Sequence, residues 1–214
     1  MIKMSPVRRR EYRAHVLLEQ NLHQDPLHQF ARWFRDAVQS KTLIPNSMVI
    51  ATAGSHGLPS GRVVLLKDFD SNGFIFYTHR DSPKSRDLQY RPFAEAVFHW
   101  PELERQVRIY GKVARISRPR AVRYFYTRPR RAQIAAVVSS QSRVIQNREE
   151  LEARFHLAKK RWDGKRIPCP AGWTGYQLRP LRYEFWQGRE NRLNDRIRFR
   201  KSAKRKWIIE RLEP

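Results

Sequence analysis

The 214 residues, 40% of them hydrophobic, suffice to bury the core of one domain. With 44 lysines and arginines against 20 acidic residues, the formal charge is +24. Such a surface attracts polyanions, whether nucleic acid or phosphorylated small molecules, without specifying a reaction. The single cysteine, Cys169, excludes a disulfide framework and a thiolate-rich metal cluster, and no apolar run approaches the ~18 residues of a membrane span. The basic start of the chain has no apolar stretch behind it, which argues against a secretory signal and fits a cytoplasmic protein.

Residues 1–24 are polar and basic and read as a mobile arm ahead of a single domain over 25–214. Asp25 and Pro26 form an N-cap followed by proline at the first helical position. Leu27, Phe30, Phe34, Ala37 and Val38 continue at helical spacing, which predicts an amphipathic helix over 26–40. A strand is expected over 48–53 and a turn over 54–57. Residues 62–67, RVVLLK, are apolar at successive positions and predict a strand buried on both faces. A turn over 70–73 leads into a strand at 74–78, and Ser82 with Pro83 opens a short helix. Strands follow over 93–100 and 105–117, then short helices over 119–127 and 130–138, broken at Pro129. A charged helix over 147–162 carries Leu151, Phe155 and Ala158 on one face. The remaining strands are expected at 174–179, 181–187, 192–199 and 206–211. Strands joined by short turns, with helices inserted, point to a mainly β fold with flanking helices, an antiparallel barrel rather than βαβ units.

No Gly-rich phosphate loop occurs, so arginine and lysine side chains must hold any nucleotide phosphate. None of the seven histidines has metal-pair spacing and no GxSxG elbow is present, so zinc and hydrolytic chemistry have little support and no metal is expected. Three cationic segments remain. Arg62 and Lys67 bracket the apolar run 62–67; five residue steps span about 16 Å, so both can meet one long ligand. A buried strand with snorkelling ends would look the same. Alternation puts Arg192, Asn194 and Arg196 on one face of a strand, two guanidinium groups flanking an amide. That wall suits carboxylates, phosphates and heteroaromatic edges, although a charge-protected edge strand gives the same pattern. Tyr124 and Arg128 lie four apart, on one helical face able to grip a phosphate. A basic cluster at a helix C-terminus is also what the helix dipole alone favours.

Taken in order, RREY (9–12), DPL (25–27), RVVLLK (62–67), FYT (76–78), LERQVRIYGKV (103–113), YFYTRPR (124–130), QS (141–142), EFWQG (184–188), RLNDR (192–196) and RLEP (211–214) resemble the pyridoxine/pyridoxamine 5′-phosphate oxidases over nearly the whole chain. The resemblance implies an FMN-binding split β-barrel and a homodimer with two FMN sites at the subunit interface. It implies FMN contacts from Arg62, Val63, Val64, Leu65, Leu66, Lys67, Tyr77, Thr78, Lys84, Gln106, Gln141, Ser142, Trp186 and Arg196. Lys67, Tyr124 and Arg128 would meet the substrate phosphate, Arg192 and Asn194 would act beside the pyridine ring, and Arg9 and Tyr12 would close over the pocket. The implied reaction passes a hydride from C4′ of pyridoxine or pyridoxamine 5′-phosphate to N5 of FMN. Dioxygen then reoxidises the flavin, giving pyridoxal 5′-phosphate, hydrogen peroxide and, from the amine, ammonia.

Three positions depart from the family's pattern. Ala132 stands where a serine usually binds the substrate phosphate, with Arg131 a candidate replacement; Asn194 stands where a histidine is usual. Asparagine keeps hydrogen bonding but carries no proton near neutral pH. Pro83 replaces an arginine that would touch the FMN phosphate, with Arg80 and Arg86 as possible compensation. Ala132 and Asn194 keep open a same-fold FMN oxidase with a different, phenazine-pathway type of substrate. The net charge motivates a nucleic-acid-binding module, but no nucleic-acid motif is recognisable, so specific nucleic-acid binding is not expected.

Overall fold

The computed structural model describes residues 11–204 and 206–214. Their helices are α1 (Pro26–Gln39), α2 (Pro83–Tyr90), α3 (Arg118–Thr127), α4 (Arg130–Val138) and α5 (Arg148–Arg161). The strands are β1 (Ser47–Ala53), β2 (Pro59–Leu65), β3 (Asp68–Asp70), β4 (Gly73–His79), β5 (Phe93–Trp100), β6 (Arg105–Arg115), β7 (Trp173–Gln187), β8 (Asp195–Lys201) and β9 (Trp207–Leu212). They form one sheet in the order β2-β1-β5-β6-β7-β4-β3, with β8 paired to β7 and β9 to β8. Among the described residues no helix is long and apolar enough to cross a membrane.

Contacts gather the chain into two compact units. One comprises the described residues up to Met48, Ala96–Tyr110 and Pro180–Pro214. Its helix α1 starts as expected, because the Asp25 carboxylate accepts the Leu27 N–H at 2.7 Å and Pro26 needs no donor partner. The buried face of α1 enters an aromatic core. The Phe30 ring lies 5.0 Å from Phe98, and Trp33 meets Phe185 edge-on at 5.2 Å. Phe185 in turn meets Phe199 edge-on at 5.6 Å. The buried Trp100 indole donates to the Pro45 carbonyl at 2.9 Å, so its one polar atom is satisfied. Antiparallel pairing of β7 with β8 and of β8 with β9 sets Phe185 opposite Ile197 and Phe199 opposite Ile209.

The other unit comprises Val49–Glu95 and Gly111–Arg179. Here β4 pairs antiparallel with the first half of β7, setting Tyr77 opposite Gly175 and Thr78 opposite Thr174. Gly73 is required at the start of β4: its φ is +131°, and a Cβ would lie 2.1 Å from the Leu178 carbonyl oxygen. A small core of Phe125, Ile134 and Ile167 joins α3 to α4, and Phe155 and Ala158 of α5 pack against it. Leu151, expected on that same face, is exposed.

Three strand expectations are corrected. The run 62–67 is not a strand buried on both faces: β2 ends at Leu65, and Val63 is 65% exposed. It closes one end of the sheet order, so nothing within the sheet covers its outer side. The strands expected at 174–179 and 181–187 are one, β7. Pro180 falls between the residues paired with β4 and those paired with β8, so its missing N–H breaks neither ladder. The strand expected from 192 begins only at Asp195.

Candidate functional site

In the second unit, Lys84 of α2 is buried against the end of β4. The side chain is only 6% exposed, yet its Nζ donates to hydroxyls: Thr78 Oγ1 at 3.1 Å and Ser82 Oγ at 3.5 Å. Burial, then the charge of Arg62, push the lysine pKa below its ordinary value. Thr78 donates to Gln141 Oε1 at 2.8 Å, and the same oxygen accepts the His79 N–H at 3.2 Å. Thus Thr78, Lys84 and Gln141 come together as expected. Ser142 follows with a φ of +67°, a left-handed conformation uncommon for serine. Among the described residues this buried ammonium finds only hydroxyl partners, which leaves its charge without a counter-ion.

Arg128 is a second cation without a charged partner among its hydrogen bonds. It is not on the helical face of Tyr124: α3 ends at Thr127, and Arg128 has extended backbone angles. Its guanidinium lies over the Trp173 indole at 4.4 Å, and Nη1 is buried with no hydrogen-bond partner. Tyr77 stacks on Tyr124 at 3.8 Å and runs parallel to Trp173 at 6.0 Å. The rings stack closely because position 175 is glycine; a Cβ there would lie 2.9 Å from the Tyr77 ring. Tyr77, Thr78, Arg128, Gln141 and Trp173 line one cleft of about 330 Å³. Burial, then Arg128, lower the pKa of Lys67, whose backbone N–H is fixed to Ile75 O at 2.9 Å.

In the first unit the expected groups take another form. Asn191 and Arg192 have φ of +56° and +64°, so Arg192 and Asn194 sit in an irregular turn and do not share a strand face with Arg196. Asn194 Oδ1 accepts the Arg189 N–H at 3.1 Å, bracing that turn. The Tyr12 ring meets Trp186 edge-on at 5.7 Å and lies 5.9 Å from the Arg192 guanidinium. Gly188 makes room for it, since a Cβ there would lie 2.6 Å from Tyr12 Cγ. Arg196 donates through Nε and Nη2 to Glu184 Oε1 at 3.1 and 2.9 Å, and through Nη1 to the Glu213 carbonyl at 2.9 Å. Gln106 is half-buried on β6. Arg9 lies outside the described residues.

The arm behind Tyr12 is anchored. Leu17 N–H donates to Asp195 Oδ2 at 3.1 Å; Arg211 reaches Asp195 Oδ1 at 2.8 Å and Glu19 at 2.7 and 2.8 Å. Arg211 holds the Glu19 carboxyl well below its ordinary value of 4.5, at about 2. A depressed carboxylate contributes above its ordinary value, and the contribution is lost as pH falls from 4.5 towards 2. Exposure makes that contribution small. Arg211 also donates to the Leu17 carbonyl at 2.9 Å, and losing that bond together with the one to Asp195 in Arg211→Met is expected to speed amide exchange at Leu17 about tenfold at neutral pH. An unchanged exchange rate would show that Arg211 does not secure the arm.

The departures resolve unevenly. Pro83 occupies the first position of α2, while Arg80 and Arg86 are both engaged with Asp81, at 3.5 and 3.0 Å. Arg131 lines a groove with Leu151 and Phe155, whereas Ser139 lines the cleft that contains Arg128. Sequence reasoning did not single out Trp173, Ser82, Thr52 or Asp87. Asp87 accepts from Thr52, which in turn receives Arg62. These partners come from distant segments, and no local motif marks them.

Comparison with known proteins shows the family. The profile of the family "Pyridoxamine 5′-phosphate oxidase" matches residues 34–161, and that of the "Pyridoxine 5′-phosphate oxidase C-terminal dimerisation region" matches 173–214. The pyridoxine/pyridoxamine 5′-phosphate oxidase of Acaryochloris marina is 47% identical over 96% of this chain and 94% of its own. That of Rubrobacter xylanophilus is 46% identical over the same shares. Among solved structures, PhzG from Burkholderia lata, in complex with tetrahydrophenazine-1-carboxylic acid, superposes with a TM-score of 0.87. It is 28% identical and covers 93% of this chain and 98% of its own. The buried lysine among hydroxyls and the unpartnered Arg128 Nη1 fit phosphate-bearing ligands, FMN included. The chain therefore belongs to the pyridoxine/pyridoxamine 5′-phosphate oxidase family, with its split-barrel fold and FMN as cofactor.

Proposed function

We propose that this enzyme oxidises pyridoxine or pyridoxamine 5′-phosphate to pyridoxal 5′-phosphate, with dioxygen as the final acceptor. The observation that carries the reading is Arg128: a guanidinium fixed on Trp173, with one buried nitrogen lacking a partner, in a cleft beside stacked aromatic rings. A phosphate supplies the missing acceptor, and the substrate of the family's named members carries one. In this reading Lys67, Tyr124 and Arg128 hold the substrate phosphate. Arg62, Lys84, Thr78 and Gln141 hold the FMN phosphate, with Ser142 beside them. Val63, Val64, Leu65, Leu66 and Tyr77 line the flavin's path, and Gln106, Trp186 and Arg196 serve its ring system. Two such sites lie at the interface of a homodimer, whose formation would also cover the exposed Val63 side chain.

When bound, FMN supplies the acceptor for the hydrogen and two electrons leaving C4′ and passes the electrons to dioxygen, giving hydrogen peroxide. The chain supplies placement and charge. Arg196, oriented by Glu184 and the Glu213 carbonyl, presents a positive charge that need not reorganise as negative charge develops. Tyr12 and Arg192 cover the pyridine ring and exclude water, while Asn194 braces their turn rather than carrying a proton. Arg192→Ala is expected to lower turnover by about two orders of magnitude while FMN affinity stays within about twofold. A larger loss of FMN affinity than of turnover would contradict this role.

A second reading is a same-fold FMN oxidase with another substrate, favoured by Ala132, by Asn194 and by the likeness to PhzG, whose bound molecule is a carboxylic acid. Oxygen uptake distinguishes the two. The proposal predicts uptake with pyridoxine or pyridoxamine 5′-phosphate and little with the dephosphorylated vitamers. A yellow protein inert to both phosphorylated vitamers would favour the second reading.

A further inference from the structure

We infer that Asp87, acting through the Thr52 hydroxyl, is a positioning residue that sets the guanidinium of Arg62 for the flavin phosphate. This rests on the proposed FMN contact of Arg62. Arg62 projects from β2, whose neighbours are exposed, yet its guanidinium is held in one orientation. Nη1 donates to Thr52 Oγ1 at 2.6 Å and to the Ile50 carbonyl at 3.3 Å, and Nη2 donates to Ser60. Thr52 Oγ1 has one hydrogen, and it is given to Asp87 Oδ2 at 2.7 Å. The carboxylate thereby fixes the hydroxyl with a lone pair turned towards arginine. Its direct ion pair with Arg62 is longer, at 3.8 Å, so the hydroxyl carries the geometry.

The end of β1 is shaped around that carboxylate. A Cβ on Gly54 would lie 2.8 Å from Asp87 Oδ1, so the closest approach depends on glycine at that position. Asp87 shares the short helix α2 with Lys84, and the charge of Arg62 helps to lower the pKa of that lysine. The relay and the buried ammonium therefore lie within electrostatic reach of each other.

The sign of one experiment separates positioning from mere proximity. A carboxylate that only stands near a phosphate site repels the phosphate, so neutralising it should tighten FMN. A carboxylate that orients arginine weakens FMN when neutralised. FMN and riboflavin are each titrated into apoprotein of wild type, Asp87→Asn, Thr52→Val, the double variant and Gly54→Ala. We expect about tenfold weaker FMN binding in each single variant, unchanged riboflavin binding, and a double variant little worse than either of its singles. FMN binding equal to or tighter than wild type in Asp87→Asn would overturn the relay, as would a parallel loss of riboflavin. Wild type that takes up no FMN would instead overturn the flavin reading itself.

Discussion

Replacing Lys84 with methionine is expected to weaken FMN binding by about two orders of magnitude. Methionine keeps the volume of the buried stem, so the change isolates the ammonium. The effect is large because the group is shielded from solvent and its present partners are neutral hydroxyls. A bound phosphate would replace weak, uncharged acceptors with a charged one. Only protonated lysine serves, and its pKa is lowered by burial and by Arg62. FMN affinity should therefore decline with rising pH earlier than an ordinary lysine would allow, and Lys84→Met should lack that alkaline limb. Fluorescence titration of the apoprotein measures both. Equal affinity in the variant, or the same alkaline limb, would remove Lys84 from the phosphate site.

Arg128→Ala should raise KM for the phosphorylated substrate about 100-fold while leaving FMN affinity near wild type. The buried Nη1 finds no partner within the described fold, so in the proposed reading the substrate phosphate supplies it. Trp173→Leu removes the platform under the guanidinium and should raise KM less, about fivefold to tenfold, because the charge remains. Steady-state oxygen uptake gives both values. If Arg128→Ala instead lowered FMN affinity with KM unchanged, the guanidinium would belong to the cofactor's phosphate.

Local signals carried much of the fold. Asp25 and Pro26 announce α1 because a cap and a first-turn proline act within a few residues. Pairing partners were less legible. The apolar run 62–67 reads as a buried strand whether its cover comes from its own chain or from another, and here Val63 is left exposed. Alternation also misplaced Arg192 and Asn194, because it assumes extended backbone, while Asn191 and Arg192 take positive φ without a glycine to signal it. Arg128 left the helical face of Tyr124 because Pro129 disfavours helical angles in the residue before it. The order of motifs supplied the candidate site residues. It could not show that Trp173 lies under Arg128 or that Asp87 reaches Arg62 through Thr52, since such partners meet only in the folded chain.

In the proposed reading the chain couples bound FMN to oxidation of a phosphorylated B6 vitamer. Its most direct test is to mix the FMN-loaded protein with pyridoxine or pyridoxamine 5′-phosphate under anaerobic conditions and follow the flavin's visible absorbance. The yellow absorbance should be lost within the turnover time, with pyridoxal 5′-phosphate formed in equal amount to the flavin, and should return when dioxygen is admitted. Absorbance unchanged by either phosphorylated vitamer would contradict it.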